Sequence, residues 1–223
     1  MKKDLIIFSF DFSMSKPAMC YYYKNKLHFW CFPMKVDIKT IDMLRACNVN
    51  VINRDLPSID KKSFDSHSLV KEHINRANNL ANIIVKVIND IIEREKIDKE
   101  NVIISSEGLS FASKGDAMLD LSGYKYILLS KLTDNGFDNF YTYSPITIKS
   151  VAGCSKKGKG DKKSMIDKIT EENPTLHLFI STLKYDPQLL KKKTSFVQCV
   201  DDLVDAYWCL KTTIIKEKIN ITL

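Results

Sequence analysis

Glycine is scarce in this chain, with seven in 223 residues, and none falls in the turn after the first apolar run, "DFSMSKPAM". A nucleotide-binding ATPase of related topology needs glycine-rich loops whose N–H groups wrap phosphates, so that class is set aside. The six cysteines, Cys20, Cys31, Cys47, Cys154, Cys199 and Cys209, contain no CxxC pair. Without that zinc spacing, and without a signal peptide to imply an oxidising compartment, they are expected to be reduced and mostly buried thiols. Asp4 and Asp11 bracket only six residues of the N-terminal apolar run, too few for a signal-peptide core, and no later stretch approaches a membrane span. A cytosolic protein is expected. His28, His67, His73 and His177 lack metal-ligand spacing, and neither an internal repeat nor a low-complexity tract is present.

What is present supports a folded domain. The hydrophobic fraction is 44%, enough for a sizeable core at this length. Lys and Arg number 34 against 27 Asp and Glu, a formal charge of +7 that suits a polyanionic partner and equally suits a basic soluble protein.

"LIIFSF" (5–10) reads as a buried strand ending at Asp11, and "MCYYYKN" with "KLHFWCF" completes a three-stranded antiparallel meander. Residues 34–66 are polar, mixed and interrupted by Pro57, and are expected to be an insertion or mobile loop, with "VNVINRDLP" as a possible strand. From Ser68, apolar residues recur every three or four positions through Ile91, which predicts a long amphipathic helix. "NVIISSE" (101–107) is a second buried strand ending in a carboxylate, Glu107. A helix over 116–134, a strand at "FYTYSP", a Lys-rich helix over 161–172 and a last helix from about Val197 complete an α/β pattern.

"CVDDLVDAYWCL" (199–210) carries Asp201, Asp202 and Asp205 in an otherwise apolar helix. Asp202 and Asp205, three apart, share a face that Ala206 and Cys209 continue. Two carboxylates about 4 Å apart repel by about 4 kcal/mol at an effective dielectric near 20, so such a pair raises one pKa or recruits a cation. The simpler account, carboxylates near a helix start favouring its macrodipole or capping it, suits Asp201 better than Asp205. Asp11 and Glu107 each end a buried strand, the edge where α/β sheets bind ligands. If the two strands are neighbours, their side chains start about 5 Å apart. Oxygen-only ligands suit magnesium or manganese, and Asp11, Glu107, Asp202 and Asp205 are the expected set for two ions.

Four segments, in order and across most of the chain, resemble RuvC-like Holliday-junction resolvases of the RNase H-like superfamily, particularly divergent phage or viral members. "IIFSFDFSMSKPAMCYY" is similar to the opening strand, catalytic Asp and turn, with Asp11 matching the acid. "NVIISSEGLSFASKG" is similar to the central strand with its catalytic Glu, here Glu107, and Phe111 stands near the place of an aromatic that stacks at the junction centre in some members. "SPITIKSVAGCSKKGKGDKKSMIDKI" is like the strand-to-helix segment, Lys149, Gly153 and Lys162 matching, with a longer and Lys-richer loop. Asp202-Leu203-Val204-Asp205-Ala206 resembles the Asp-x-x-Asp-Ala helix.

The resemblance implies a single nuclease domain over 1–223 with an insertion at about 34–66. Its sheet is an RNase H-like mixed one, an antiparallel meander plus parallel strands flanked by helices. It implies Asp11, Glu107, Asp202 and Asp205 as catalytic ligands of two Mg2+ ions, with Mn2+ able to substitute. It also implies a homodimer that makes symmetric nicks in four-way DNA, in the host cytoplasm if the chain is phage-encoded. Phosphate contacts are expected from the Lys-rich stretch, Lys149, Lys156, Lys157, Lys159, Lys162 and Lys163, beside Phe111. The competing readings are another RNase H-like nuclease, acting on RNA–DNA hybrids or flaps, and a non-catalytic protein that binds branched DNA.

Overall fold

The computed structural model describes residues 5–54, 56, 65–108, 116–154, 162–172, 194–221 and 223. Strands β1 (Ile6–Asp11), β2 (Ala18–Tyr23) and β3 (Lys26–Cys31) pair antiparallel, as the meander pattern predicts. Lys24 and Asn25 join β2 to β3 with φ of 46° and 61°, the left-handed pair that lets a two-residue turn follow the twist of its strands. Strands β4 (Val49–Val51), β5 (Val102–Glu107) and β6 (Phe140–Tyr143) add in parallel to β3, β1 and β5, giving the order β4-β3-β2-β1-β5-β6.

Helices cover both faces. On one side, α2 (Ser66–Glu95) and α3 (Asp116–Asp134) pack on Ile6, Phe8 and Phe10 of β1 and on Val102 and Ile104 of β5. On the other lie α1 (Ile38–Ala46), α4 (Pro145–Val151), α5 (Lys162–Glu172) and α6 (Ser195–Lys216). Side chains alternate along a strand, so Ile7, Ser9 and Asp11 of β1 share the α6 face with Ile103, Ser105 and Glu107 of β5. That alternation sends both strand-ending acids to the same side. All six cysteines are free and buried in the core under α6, as expected of reduced thiols. Among the described residues, no helix is long and apolar enough to cross a membrane.

The loop expected over 34–66 is corrected for its first part. Residues 38–46 form α1, capped by the Asp37 carboxylate, which accepts the Thr40 N–H at 2.8 Å. Strand β4 follows and extends the sheet, and Met34 pairs with Arg54 in an isolated parallel bridge. Both elements are short, and α1 buries only Thr40 and Leu44, so neither leaves a periodic apolar signal in the sequence. Residues 55 and 57–64 lie outside the described part of the chain.

Candidate metal centre

Parallel pairing of β1 with β5 runs up to Phe10 opposite Ser106, so Asp11 and Glu107 leave the sheet side by side at its carboxyl edge. Small side chains one step below them admit α6. Ser9 is fully buried and its hydroxyl donates to the Ala206 carbonyl, while Ser105 Oγ lies 3.8 Å from Cys209 Sγ. Bulkier residues at Ser9 and Ser105 would push the helix away from the sheet. With α6 seated there, Asp205 hangs over the strand ends one turn before Cys209.

Carboxylate oxygens of Asp11, Glu107 and Asp205, all half-buried, lie within 4.8 Å of one another. At about 5 Å and an effective dielectric near 20, each pair of ionised carboxylates repels by about 3 kcal/mol, which a shared divalent cation relieves. The donor set is all oxygen and sits at a solvent-reachable sheet edge, which fits Mg2+ or Mn2+ and argues against Zn2+. Asp202 stands outside this group. It is half-buried one turn earlier on α6, and its charge adds to the burial that pushes the Cys31 thiol up. The structure thus brings together three of the four acids expected to act jointly.

Asp201 does not cap its helix. The cap is Thr194, whose hydroxyl accepts the Val197 N–H, which places Asp201 in the second turn as a half-buried neighbour of Asp202. Val200, Val204, Tyr207 and Leu210 are buried and fix α6 to the sheet. Lys149 is half-buried in the last turn of α4, and Lys162 and Lys163 open α5. Phe111, Lys156, Lys157 and Lys159 lie outside the described residues. Gly153, at the end of the α4 turn, has φ of +64°, and a β-carbon there would collide with the Lys168 ammonium. That ammonium donates to the Ala152 carbonyl at 2.8 Å, so Lys168 fastens the exit of α4. Gly108 lies close to β6 for a different reason: its N–H donates to the Tyr143 carbonyl at 2.6 Å, and a β-carbon would sit a tight 3.1 Å from that oxygen.

Two lysines outside the set expected from the sequence border the centre. Lys125 of α3 is buried, and its ammonium donates to the Glu107 carbonyl at 2.9 Å and reaches Thr142 Oγ1 at 3.4 Å. Burial lowers its pKa, with the charges of Cys209 and Glu107 pulling the other way. Its signal in the sequence is a Lys on the inward stripe of α3, between the buried Tyr124 and Leu128. Lys16, in the turn after β1, donates to Gln198 Oε1 at 2.5 Å and ties that turn to α6 one turn before Asp202. Behind the acids, the Cys209 thiol is pushed up to about 12 by burial. Hydrogen bonding with Ser105 and Ser9 opposes that shift, while the charges of Glu107 and Asp11 add to it.

No protein-family model matches the sequence, and no curated protein matches it. Solved structures do. The structure of RuvC from Thermus thermophilus aligns with a TM-score of 0.50 at 9% identity, over 96% of this chain and 97% of that one. The structure of T. thermophilus RuvC in complex with a Holliday junction substrate aligns with a TM-score of 0.50 at 8% identity, over 95% and 96%. At such identities the likeness concerns the fold, and the fold is the RNase H-like mixed sheet of RuvC, as the sequence resemblance implied.

Proposed function

We propose that the chain is a divalent-metal-dependent, structure-selective DNA endonuclease that resolves four-way junctions by symmetric phosphodiester hydrolysis, as a homodimer of one nuclease domain with an insertion at about 34–66. One observation carries the reading: carboxylate oxygens of Asp11, Glu107 and Asp205 lie within 4.8 Å of one another at the carboxyl edge of a RuvC-type sheet. A RuvC of the same fold is seen with a Holliday junction substrate, which favours branched DNA over other polyanions as the partner here.

In this reading Asp11, Glu107 and Asp205 hold the metal, and Asp202 extends the set toward a second ion. A divalent ion held there supplies positive charge where the attacking and leaving oxygens become negative and makes the attacking water more acidic. The carboxylates fix the position of that water relative to the phosphate, and the Ser9 and Ser105 contacts keep Asp205 at its height above the sheet. Lys149, the loop lysines 156, 157 and 159, and Lys162 and Lys163 supply phosphate contacts along the approach, with Phe111 for a base at the junction centre. A two-fold dimer presents two such centres to a two-fold junction, which is what paired nicks require.

A synthetic four-way junction incubated with Mg2+ should be cut by paired nicks, and Asp11→Asn should abolish cutting while leaving the far-ultraviolet dichroism intact. Cleavage undiminished in that variant would sink the assignment. A wild-type chain that binds the junction in EDTA yet never cuts it with Mg2+ or Mn2+ would make the protein a non-catalytic binder. Faster cutting of a hybrid or flap under the same conditions would move the substrate class.

A further inference from the structure

The turn between Asp11 and β2 contains no glycine and is held from outside at three of its carbonyls. The Phe32 N–H donates to the Pro17 carbonyl at 2.9 Å and the Met34 N–H to the Ser15 carbonyl at 2.7 Å. The third tether is a side chain from far along the chain. Arg54 Nη2 donates to the Met14 carbonyl at 2.9 Å, while its Nε donates to the Phe32 carbonyl at 2.7 Å and its backbone N–H to the Pro33 carbonyl at 2.7 Å. One planar guanidinium therefore spans the 32–34 segment and the Asp11 turn, a two-point grip that an ammonium lacks.

Arg54 is 3% exposed, and burial pulls its pKa down to about 10, so it remains a cation in the neutral range. Its Nη1 is also buried, with no acceptor among the described residues. A buried cation is a poor device for stability alone. Its position is what distinguishes it. The turn it grips begins at a metal-binding acid and is tied at Lys16 to Gln198 of α6, the helix that carries Asp205. Helix α1 and strand β4 bring Arg54 back to that place after the chain leaves β3.

We propose that Arg54 is a positioning residue for the metal centre, and that the 34–54 segment serves to deliver its guanidinium to the turn after Asp11. This rests on the metal-site reading above. The test measures amide hydrogen exchange and Mn2+ binding, the latter from the free-ion paramagnetic resonance signal, in wild type, Arg54→Met and Arg54→Lys.

In both variants the Met34 amide, which donates to the Ser15 carbonyl from outside the turn, and the Lys16 amide, which donates to Ser13 Oγ at 2.9 Å within it, should exchange about tenfold faster or more. The Ile104 amide in β5 should keep its rate, and Mn2+ affinity should fall about tenfold, the usual scale for groups that orient metal ligands. Unchanged Mn2+ affinity in a folded variant overturns the proposal, as does acceleration at Ile104 equal to that in the turn. Should Arg54→Met fail to fold, Arg54→Lys, which keeps the charge and loses the fork, decides by the same readings. A wild-type chain that takes up no Mn2+ overturns the metal-site reading instead, and exchange in the turn then decides the clamp by itself.

Discussion

The two faces of the sheet are made of different material. On one side Ile6, Phe8 and Phe10 of β1 meet Ile84, Ile88 and Ile91 of α2 and Leu128 of α3, a mainly hydrocarbon layer. Under α6 the same strands present Ser9, Ser105 and Cys20 against Cys199, Ala206 and Cys209, and then the carboxylates at the rim. Small, weakly polar side chains bring a helix close and fix its height through specific contacts, whereas branched aliphatics fill volume and supply most of the transfer free energy. Both faces hold the fold together, and the α6 face in addition sets the positions of groups that must meet within a few ångströms.

A crossed pair of substitutions breaks that comparison most directly. Asp205→Asn should slow junction cleavage by about 10³-fold or more, the equivalent of several kcal/mol of lost charge stabilisation, with the melting temperature kept or raised. Ile88→Ala, in a fully buried position of α2, should cost about 2–5 kcal/mol in chemical unfolding while leaving Mn2+ affinity in the native range unchanged. Equal effects of the two on both readings would show that the faces are not specialised.

Asp202→Asn sharpens the comparison within α6. Because Asp202 stands outside the three-acid group, its loss should slow cleavage by about tenfold, far less than loss of Asp205. Parity between the two variants in single-turnover rate would return Asp202 to the first rank of ligands.

The smallest effect belongs to the opposite face. His28 stacks on Tyr21 with ring centroids 4.4 Å apart, and burial together with the charges of Arg94 and Lys26 holds its pKa below the usual 6.5, Glu95 opposing. The unfolded chain therefore takes up the proton first as pH falls. Stability from this site is complete above about 6.5 and is lost as pH drops through the folded value. Melting curves from pH 7.5 to 5 should fall more steeply for wild type than for His28→Gln, with cleavage at pH 7.5 the same in both. Parallel slopes would show that His28 is not held neutral.

β1, β5 and α6, which carry the acids, are legible because most of their positions are buried. β1 and β5 are short apolar runs that stop at a carboxylate, α3 spans 116–134 as its pattern predicts, and α6 begins at Ser195, two residues before the expected start. α1 and β4 were hidden because they bury few residues. The division between Asp202 and Asp205 was hidden for a geometric reason. Residues three apart share a helix face but differ by about 4.5 Å in height, and only the height fixed by Ser9 and Ser105 decides which carboxylate meets the strand ends. Lys125 and Arg54 act on carbonyl oxygens, so the sequence shows at most a cation on an inward stripe, as at Lys125, and never the group it grips.

The six thiols give the asymmetry of the two faces a practical use. All of them, Cys20, Cys31, Cys47, Cys154, Cys199 and Cys209, lie in the core under α6, and burial raises the thiols of Cys20, Cys31, Cys47 and Cys209 above their ordinary range. Alkylation needs an accessible thiolate. A maleimide or iodoacetamide pulse thus acts as a one-sided clock, recording how often the helices on the α6 side open and staying silent while α2 and α3 breathe.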